Sequence, residues 1–471
     1  MKTKKILSFF FAVLFTVSVF SVSVQAEGIG ACTHMAQGRN QEQTCTAAVN
    51  VNLPVVRDEV HWWTVEPVKG QLSLPERARW IETTAENGIK SLVVLSFGNP
   101  IYDFGQPSQA DLEAGGFYDC VMPVRDGNPE TTADDEYFDA YVRYVDFVSK
   151  SLAGKVEAYE IWNEPDIKGF NTNDATAADY TEMLKAAYTT IKHNDPDVTV
   201  LGGSIALETD FIDGMMKAGA GQYMDGLSVH YYLGKNAPEK RARERLDKYR
   251  DVLVKYGYDK MPVWLTETGW ANSNVDEQTQ AQYIVRNAMF YDEFLLDYGI
   301  EGQYFNYELQ NSSITSDVLG GEEYENSLGL YRNDFTPKPA ATAVKTFNAL
   351  TTGKKLTDLE KTKYGFFYQK SAYVATYSQS GQTVYAIWAE SEFNIKITLP
   401  DAQITVYDMQ GNIIEDNVQG GVKRITAAPS PIYIVFDSDS VNAEQNFIQK
   451  VVAFFKHIFR VIANGFVGWK A

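Results

Sequence analysis

Short apolar runs alternate with longer amphipathic segments between Gly28 and about Leu350. Apolar runs of about four to eight residues are typical of buried strands, whereas apolar residues spaced three and four apart are typical of helices. The pattern predicts eight strands: Ile29–Thr33, Val55–Val60, Lys90–Leu95, Val156–Trp162, Thr199–Gly203, Gly226–Val229, Pro262–Thr266 and Gly302–Phe305. It predicts seven helices: Pro75–Asn87, Asp134–Ser151, Ala175–His193, Glu208–Ala218, Ala237–Tyr256, Asp276–Tyr298 and Pro339–Leu350.

The order of these elements indicates the fold. Gly88, Gly257 and Gly299 each follow a predicted helix and precede the next strand, which is where helices commonly end. Only the link between the first two strands lacks a well-formed helical pattern. Strand–helix alternation repeated over roughly 320 residues predicts an α/β fold, a (β/α)8 TIM barrel, which we assign to residues 27–353. A doubly wound open sheet is the alternative, but no G-x-G-x-x-G run follows the first strand.

The pattern changes after Gly353 to short β-type runs without a helical period. Turn dipeptides at Gly381-Gln382 and Gly411-Asn412 separate some of these runs. We therefore predict a small antiparallel β-sandwich over residues 354–437. Its strands are expected at Phe366–Gln369, Tyr373–Ser378, Thr383–Trp388, Ile395–Leu399, Ile404–Asp408 and Ile432–Phe436.

The N-terminal residues have the features of a secretory signal peptide. Three lysines at positions 2, 4 and 5 precede an apolar run from Ile6 to about Phe20, and Val24-Gln25-Ala26 supplies small residues at a cleavage site. We expect residues 1–26 to be removed and the protein to be secreted or periplasmic. An uncleaved anchor helix is the alternative, although the apolar run is shorter than the ~20 residues that a membrane span needs.

Composition and charge narrow the function. Hydrophobic residues make up 45% and charged residues 22% of the 471, which is a globular composition. A net charge of −19 argues against nucleic acid as a partner. Five scattered histidines without an H-E-x-x-H run offer little for a metal site. Cys32, Cys45 and Cys120 allow one disulfide with one thiol left over, or three buried free thiols.

Two glutamates end predicted strands, at the side of a barrel where active sites form. The fourth strand leads into Trp162-Asn163-Glu164-Pro165, and the seventh ends in Thr266-Glu267-Thr268. Because side chains alternate along a strand, Val263 and Leu265 are expected to fill the barrel interior, with Glu267 on the same face at its mouth. The same alternation groups Glu160, Trp162 and Glu164. Two carboxylates at one mouth suit cleavage of a glycosidic bond, which needs no cofactor or metal.

These motifs resemble clan A of the retaining glycoside hydrolases, and further segments resemble family 39 and related bacterial enzymes that act on exopolysaccharides. The segments are Val56–Trp62, Gly98–Asp103, Glu160–Asp166, Val229–Tyr232, Tyr407–Asn412 and Ser430–Ile434. The resemblance implies that Glu164 is the acid/base and Glu267 the nucleophile. It also implies that Asn163 binds the sugar hydroxyl next to the reacting carbon. Many members of the clan place a tryptophan under the sugar at the eighth strand, whereas this chain offers Tyr304, Phe305 and Tyr307.

Other side chains are candidate substrate contacts by position. The resemblance implies that Arg57 keeps Glu267 ionised, but Arg57 is equally suited to pair with the inward-facing Glu160. His230 and Tyr232 match the end of the sixth strand, where clan members place polar groups beside the nucleophile. His61, Trp62, Asn99 and Tyr102 are either sugar contacts or loop packing. Trp270 and Tyr307 are expected to line the cleft.

The predicted function is a secreted retaining β-glycosidase that cleaves within an extracellular polysaccharide. One alternative is an exo-acting enzyme of the β-xylosidase kind, which removes single sugars from an oligosaccharide. The other is an inactive polysaccharide-binding surface protein with a barrel. The two carboxylates and the Asn163-Glu164 pair argue against the last.

The C-terminal residues 438–471 form a third kind of sequence, a linker followed by a basic amphipathic tail. No acidic residue lies between Gln445 and Ala471, while Lys450, Lys456, Arg460 and Lys470 are basic. Apolar residues spaced three and four apart predict an amphipathic helix with a cationic face, which suits the surface of an anionic membrane. We expect peripheral membrane contact through residues 445–465. Docking of the helix on the barrel, on another subunit or on a secretion partner is the alternative.

Liposome co-sedimentation tests the tail. The full chain should bind vesicles that contain anionic phosphatidylglycerol, because lysine and arginine attract anionic headgroups while phenylalanine and isoleucine insert. A chain ending at Asp437 should not bind, and neutral vesicles serve as the control. Equal failure of both chains to bind anionic vesicles would leave docking on protein as the explanation.

Overall fold

The computed structural model describes seven stretches of the chain. They are residues 27–102, 120–125, 132–207, 209–313, 322–364, 370–379 and 381–437. The predicted signal peptide and basic tail lie outside the described residues, as does the predicted strand Phe366–Gln369.

Eight parallel strands close into a barrel in chain order. They are β1 (Ile29–Cys32), β2 (Val55–Glu59), β3 (Lys90–Leu95), β4 (Ala158–Ile161), β5 (Thr199–Ile205), β6 (Gly226–His230), β7 (Val263–Thr268) and β8 (Tyr304–Asn306). Each strand pairs with the next, and β8 returns to β1 with Tyr304 opposite Ile29. The predicted TIM barrel is therefore confirmed.

Helices surround the barrel. Those of the described residues are α1 (Gln41–Asn50), α2 (Trp62–Val65), α3 (Trp80–Glu86), α4 (Thr132–Ser151), α5 (Ala177–Asn194), α6 (Thr209–Lys217), α7 (Pro238–Lys255), α8 (Glu277–Tyr298), α9 (Glu322–Glu325) and α10 (Pro339–Thr351). No helix of these residues is both long and apolar enough to cross a membrane.

Helix α1 corrects the expectation that the link between the first two strands lacks a helix. Its N-terminus is capped by the Asn40 side chain, which accepts a hydrogen bond from the Gln43 amide. The face it buries carries small side chains, Thr44, Cys45, Ala47 and Ala48. The apolar stripe is thus too weak to stand out in the sequence.

Side chains alternate along each strand. One set points into the barrel interior, and the other points outward to the layer beneath the helices. Cys32, Val55, Leu92, Ala158, Leu201 and Phe305 form an interior cluster against which Trp264 packs. Val263 and Leu265 belong instead to the large core between strands and helices. The prediction that this pair fills the barrel interior is therefore wrong, because β7 has the opposite register. Gly30 is also interior, and a Cβ there would lie 2.7 Å from Val55 Cγ1.

The second region is antiparallel, as predicted, and its strands form one continuous sheet. They are β9 (Lys355–Tyr364), β10 (Lys370–Gln379), β11 (Gln382–Ala389), β12 (Phe393–Tyr407), β13 (Ile413–Ala427) and β14 (Ile432–Asp437). Their order is β13-β12-β14-β11-β10-β9. The ring of Tyr364 on β9 meets that of Phe393 on β12 at 5.4 Å, so the sheet folds over on itself. One sheet thereby supplies the two facing layers expected of a sandwich.

The two edge strands of this sheet, β9 and β13, are the ones that the apolar pattern did not predict. Both are mostly exposed and carry charged residues, with only Leu356 and Leu359 buried on β9. Charged side chains on edge strands oppose pairing with other chains, and they also hide the strand from a search for apolar runs.

The sheet and the barrel share one core, centred on helix α8. The Tyr377 hydroxyl donates to Asp292 Oδ2 at 2.7 Å, and Trp388 Nε1 donates to Glu239 Oε1 at 2.9 Å. Phe290 packs edge-on against the Trp388 ring, at 5.9 Å between centroids. The buried cluster accordingly runs without a break from the barrel helices into β9, β10, β11 and β14.

The three cysteines are buried free thiols. Cys32 lies in the barrel interior, whereas Cys45 lies on α1. Of the two alternatives that the sequence left open, the structure therefore has the unpaired one.

Candidate active site

The carboxyl ends of β2, β4, β6 and β7 bring six polar side chains to one mouth of the barrel. They are Arg57, Asn163, Glu164, His230, Tyr232 and Glu267. All six were predicted as site residues from the sequence. This end of a (β/α)8 barrel is where active sites form.

A sharp turn after β4 delivers Glu164. The strand ends at Ile161, and Trp162 and Glu164 both have left-handed backbone, with φ of 69° and 46°. The Glu164 amide donates to the Ser204 carbonyl, while Trp162 is buried with its Nε1 bonded to the Phe170 carbonyl. Simple strand alternation therefore does not continue to Glu164, contrary to the expected grouping of Glu160, Trp162 and Glu164.

An irregularity in β7 delivers Glu267. The pairing of β7 shifts register against β6 between Val229 and His230, and against β8 between Leu265 and Thr268. Thr266 remains in the interior, where its hydroxyl donates to Glu160 Oε1 at 2.9 Å. The shift lets the next residue, Glu267, also reach the mouth.

The Arg57 guanidinium connects the two sides of the mouth. Its Nε donates to Glu160 Oε2 at 2.6 Å, its Nη1 to Glu267 Oε1 at 2.7 Å and its Nη2 to Asn163 Oδ1 at 2.8 Å. The two roles that the sequence left as alternatives, partner of Glu160 and partner of Glu267, are thus both present. The bond to Asn163 Oδ1 also fixes the orientation of that amide.

The two mouth glutamates lie at the spacing of a retaining pair. One oxygen of Glu164, one of Glu267 and a ring nitrogen of His230 all lie within 4.8 Å of one another. Carboxyl groups are about 5 to 5.5 Å apart in retaining glycosidases and about 6.5 to 9.5 Å apart in inverting ones. The separation in this structure matches the shorter, retaining spacing.

The carboxyl groups of the site differ in their protonation. Burial, together with the negative charge of Asp166, raises the pKa of Glu164 to about 8. Burial also acts on Glu160, but the Arg57 guanidinium outweighs it and lowers the pKa of Glu160. Glu267 accepts hydrogen bonds at both oxygens, from Arg57 and from the Tyr232 hydroxyl at 2.8 Å. Glu164 therefore keeps its proton at neutral pH, beside a carboxyl that is hydrogen-bonded at both oxygens.

The hydrogen bonds around His230 determine which of its nitrogens carries the proton. Ser204 and Thr266 use their hydroxyl protons on Asn163 and Glu160, so each must accept from His230 Nε2, at 3.2 and 3.1 Å. Burial lowers the pKa of His230, which leaves Nδ1 without a proton. Nδ1 lies 2.8 Å from Glu164 Oε1 and accepts a hydrogen bond from that protonated carboxyl.

Glu164, His230 and Glu267 also form the one triangle of metal-ligand type found among the described residues. Their polar atoms also take part in hydrogen bonds within the site, since Arg57 and Tyr232 bond the two oxygens of Glu267. The triangle is equally what acid–base chemistry on a sugar requires.

Four predicted sugar contacts are buried and bonded to other parts of the protein. Trp62, Asn99 and Tyr102 are buried, and all three bond to Glu66: Trp62 Nε1 and the Tyr102 hydroxyl to its carboxylate, Asn99 Nδ2 to its carbonyl. Trp270 is fully buried, with its Nε1 bonded to the Asn236 carbonyl. These side chains hold loops in place, because a buried Glu66 needs partners and large rings fill the space under the loops.

His61 belongs to a row of rings on the mouth that the sequence did not predict. Its ring stacks on Trp63 at 5.8 Å and on Phe97 at 6.1 Å, and Phe97 stacks on Phe170 at 5.7 Å. Trp63 ends the row with 38% of its surface exposed. The rings come from three separate segments, namely the start of α2, the residues after β3 and the residues after β4, so no local spacing in the sequence reveals the row.

Tyr307 packs against Tyr232, the hydrogen-bond partner of Glu267, and polar residues that the sequence analysis missed lie near it. Its ring meets Tyr232 edge-on at 6.3 Å and His34 at 5.2 Å. Beyond it are Glu308, which is buried, and Glu325 on α9. Glu325 follows a stretch outside the described residues and has no motif around it, so no sequence signal could have found it.

Comparison with known proteins identifies relatives. The family model "Glycosyl hydrolases family 39" matches residues 143–391. A family 39 glycoside hydrolase from the gut symbiont Bacteroides cellulosilyticus WH2 is 23% identical, with a TM-score of 0.67 over 88% of this chain and 82% of that chain. No curated protein matches the chain.

Two further solved structures share the fold at lower identity. A GH39 β-xylosidase from Caulobacter crescentus is 16% identical, with a TM-score of 0.61 over 88% of this chain and 96% of that chain. A GH30 endoxylanase from Clostridium papyrosolvens C71 is 14% identical, with a TM-score of 0.57 over 89% of this chain and 98% of that chain.

Proposed function

The chain belongs to family 39 of the glycosyl hydrolases, whose members are retaining enzymes, and we propose that it cleaves β-glycosidic bonds within an extracellular polysaccharide. Glu164 is the acid/base of this proposal and Glu267 the nucleophile. The observation that carries it is a carboxyl with a pKa of about 8 held beside a carboxylate bonded at both oxygens, with oxygens of the two within 4.8 Å.

In the first step, Glu267 attacks the anomeric carbon while Glu164 gives its proton to the departing glycosidic oxygen. The carbon–oxygen bond breaks, and a covalent glycosyl–enzyme ester forms with inverted configuration. Asn163, whose Oδ1 is held by Arg57, presents its amide NH2 to the neighbouring hydroxyl. This bond strengthens as charge develops on the sugar.

In the second step, Glu164 removes a proton from water, which attacks the ester and restores the original configuration. The unprotonated Nδ1 of His230 faces Glu164 and disfavours its ionised form. Glu164 therefore stays basic enough to activate the water. The Glu267 carboxylate that departs returns to its bonds with Arg57 and Tyr232.

The ring row of Trp63, His61, Phe97 and Phe170 supports an extended substrate. It starts at Phe170, whose carbonyl bonds Trp162 next to Glu164, and ends at the exposed Trp63. Flat rings offer stacking surfaces for sugars, and one sugar at the catalytic pair does not need a row that reaches beyond it. This favours internal cleavage of a chain.

An exo-acting β-xylosidase is the second candidate, because relatives of this fold include β-xylosidases. Such an enzyme binds one sugar at the catalytic pair, and its substrate would not contact the exposed face of Trp63. An inactive binding protein would in turn have no use for a protonated acid beside a carboxylate. The signal-peptide pattern of residues 1–26 supports action outside the cell, where polysaccharides accumulate.

Azide distinguishes the two glutamates. Glu267→Ala should lose nearly all activity, and azide should partly restore it by attacking from the vacated side, giving a glycosyl azide of inverted configuration. Glu164→Ala should instead give an azide of retained configuration from an activated aryl glycoside. Proton NMR of the products reads the anomers. Exchanged stereochemistry between the two variants would reverse the assigned roles.

The pH profile tests the acid. Glu164 must carry its proton to start the reaction, and its pKa is about 8, so kcat/KM should fall as the pH rises through that value. With a 2,4-dinitrophenyl glycoside, which needs no acid, Glu164→Ala should lose this alkaline decline. A decline that persists in the variant would assign it to another group.

Trp63 decides between internal and terminal cleavage. Trp63→Ala should raise KM for a polysaccharide about threefold to tenfold, the range of one lost ring contact, and leave kcat/KM for a 4-nitrophenyl glycoside unchanged. Trp63→Phe, which keeps a ring, is the matched control. Equal effects on both substrates would contradict internal cleavage along this row.

A further inference from the structure

Hydrogen bonds at two levels join the turn that carries Glu164 to the end of β5. The Glu164 amide donates to the Ser204 carbonyl at 3.1 Å. Two residues further along each segment, the Asp166 carboxylate accepts one bond at each oxygen. The donors are the backbone amides of Ala206, at 3.1 Å, and of Leu207, at 2.8 Å. The two segments are therefore held together both at the acid/base and beyond it.

Ser204 connects this contact to the other residues of the site. Its hydroxyl donates to Asn163 Oδ1 at 3.3 Å and accepts from His230 Nε2 at 3.2 Å. Its backbone is left-handed, with φ of 53°, a conformation that a serine rarely adopts unless its surroundings hold it. The amides that Asp166 binds follow Ser204 by two and three residues. Asp166 therefore anchors the segment that positions Asn163, Glu164 and His230.

The same carboxylate places a negative charge close to the acid/base. Both oxygens of Asp166 accept from amides, which is the bonding pattern of an ionised carboxylate. Asp166 lies two residues beyond Glu164, a stretch that spans at most about 7 Å of backbone. The turn is also closed by a bond from the Ile167 amide to the Glu164 carbonyl at 3.0 Å. A fixed negative charge at this distance disfavours a second one on Glu164.

We propose that Asp166 is a positioning residue for catalysis, which anchors the end of β5 to the acid/base turn and keeps Glu164 protonated until the leaving group takes its proton. The inference rests on the proposed function, because that function makes Glu164 the acid. Asp166 does not touch the reacting atoms. It acts through Ser204, by geometry, and through Glu164, by charge.

The other charges around Glu164 leave this part to Asp166. Burial first and the charge of Asp166 second raise the pKa of Glu164, which is about 8. Glu160 acts in the same direction and Arg57 in the opposite one. Arg57 bonds both Glu160 and Glu267, so the charges inside the barrel partly offset one another, whereas Asp166 stands outside that network. The titratable groups around Glu164 are otherwise Arg57, Glu160, His230, Tyr232, Glu267 and Glu325.

Asp166→Asn tests the charge. The probe is phenyl β-D-xyloside or phenyl β-D-glucoside, whichever the wild type cleaves faster. The alkaline decline of kcat/KM should move about one pH unit lower, because Glu164 ionises more easily without the neighbouring charge. Asp166→Glu, which keeps the charge, should move it less. Asp197→Asn is the matched control and should leave the decline in place, since it removes the same charge from an exposed position at the opposite end of β5.

Asp166→Ala tests the anchoring, because it removes both bonds to β5. A phenyl leaving group needs the proton of Glu164, whereas 2,4-dinitrophenolate departs without it. The ratio of kcat/KM for the phenyl glycoside to that for the 2,4-dinitrophenyl glycoside of the same sugar should therefore fall about tenfold at pH 7. A ratio does not depend on the fraction of folded enzyme, so this test holds if the variant folds poorly.

The outcomes separate the inference from the proposed function. An alkaline decline that stays in place in Asp166→Asn, or an unchanged ratio in Asp166→Ala, would overturn the inference alone. A wild type that cleaves no β-glycoside or polysaccharide would overturn the proposed function and the inference with it.

Discussion

The pairing of one buried cation, the Arg57 guanidinium, is the constraint on which the rest of the site depends. Arg57 lies inside the barrel with 3% of its side chain exposed and bonds Glu160, Glu267 and Asn163 through three different nitrogens. Removing one partner of a buried ion pair typically costs about 3 to 5 kcal/mol, so the positions of these residues are not independent. The strand ends that carry them are thereby held in one arrangement, which no exposed salt bridge could enforce.

The same cation bonds only one of the two mouth glutamates. Glu267 and Glu160 accept hydrogen bonds from the guanidinium, whereas Glu164 faces the unprotonated nitrogen of His230, and burial with the charge of Asp166 raises its pKa to about 8. Two chemically identical side chains thus acquire different surroundings, as the proposed roles of acid and nucleophile require. The hydroxyls of Ser204 and Thr266 accept hydrogen bonds from Nε2 of His230. The histidine proton therefore lies on the nitrogen that faces away from Glu164.

The barrel, its eight strands and the glutamates after β4 and β7 were predictable, because strand periodicity and strand ends are local properties of a sequence. The path by which Glu267 reaches the mouth was not, since the register shift in β7 depends on the neighbouring strands. The burial of Trp62 and Trp270 could not be predicted either, because their motifs do not show that Glu66 and the Asn236 carbonyl accept hydrogen bonds from their indoles.

Because the barrel and the sheet share one core, the sheet is part of the same folding unit as the barrel. Asp292 and Glu239 belong to the barrel, yet Tyr377 and Trp388 of the sheet supply hydrogen bonds to their carboxylates. A barrel without the sheet would expose the apolar side of α8 and take the Tyr377 hydroxyl from Asp292, while Glu239 would still have Arg286. The boundary near residue 353 therefore separates two kinds of topology, but it does not separate two parts that fold independently. The two parts should unfold as one cooperative unit, and neither could be exchanged for a foreign module without redesigning the surface of α8.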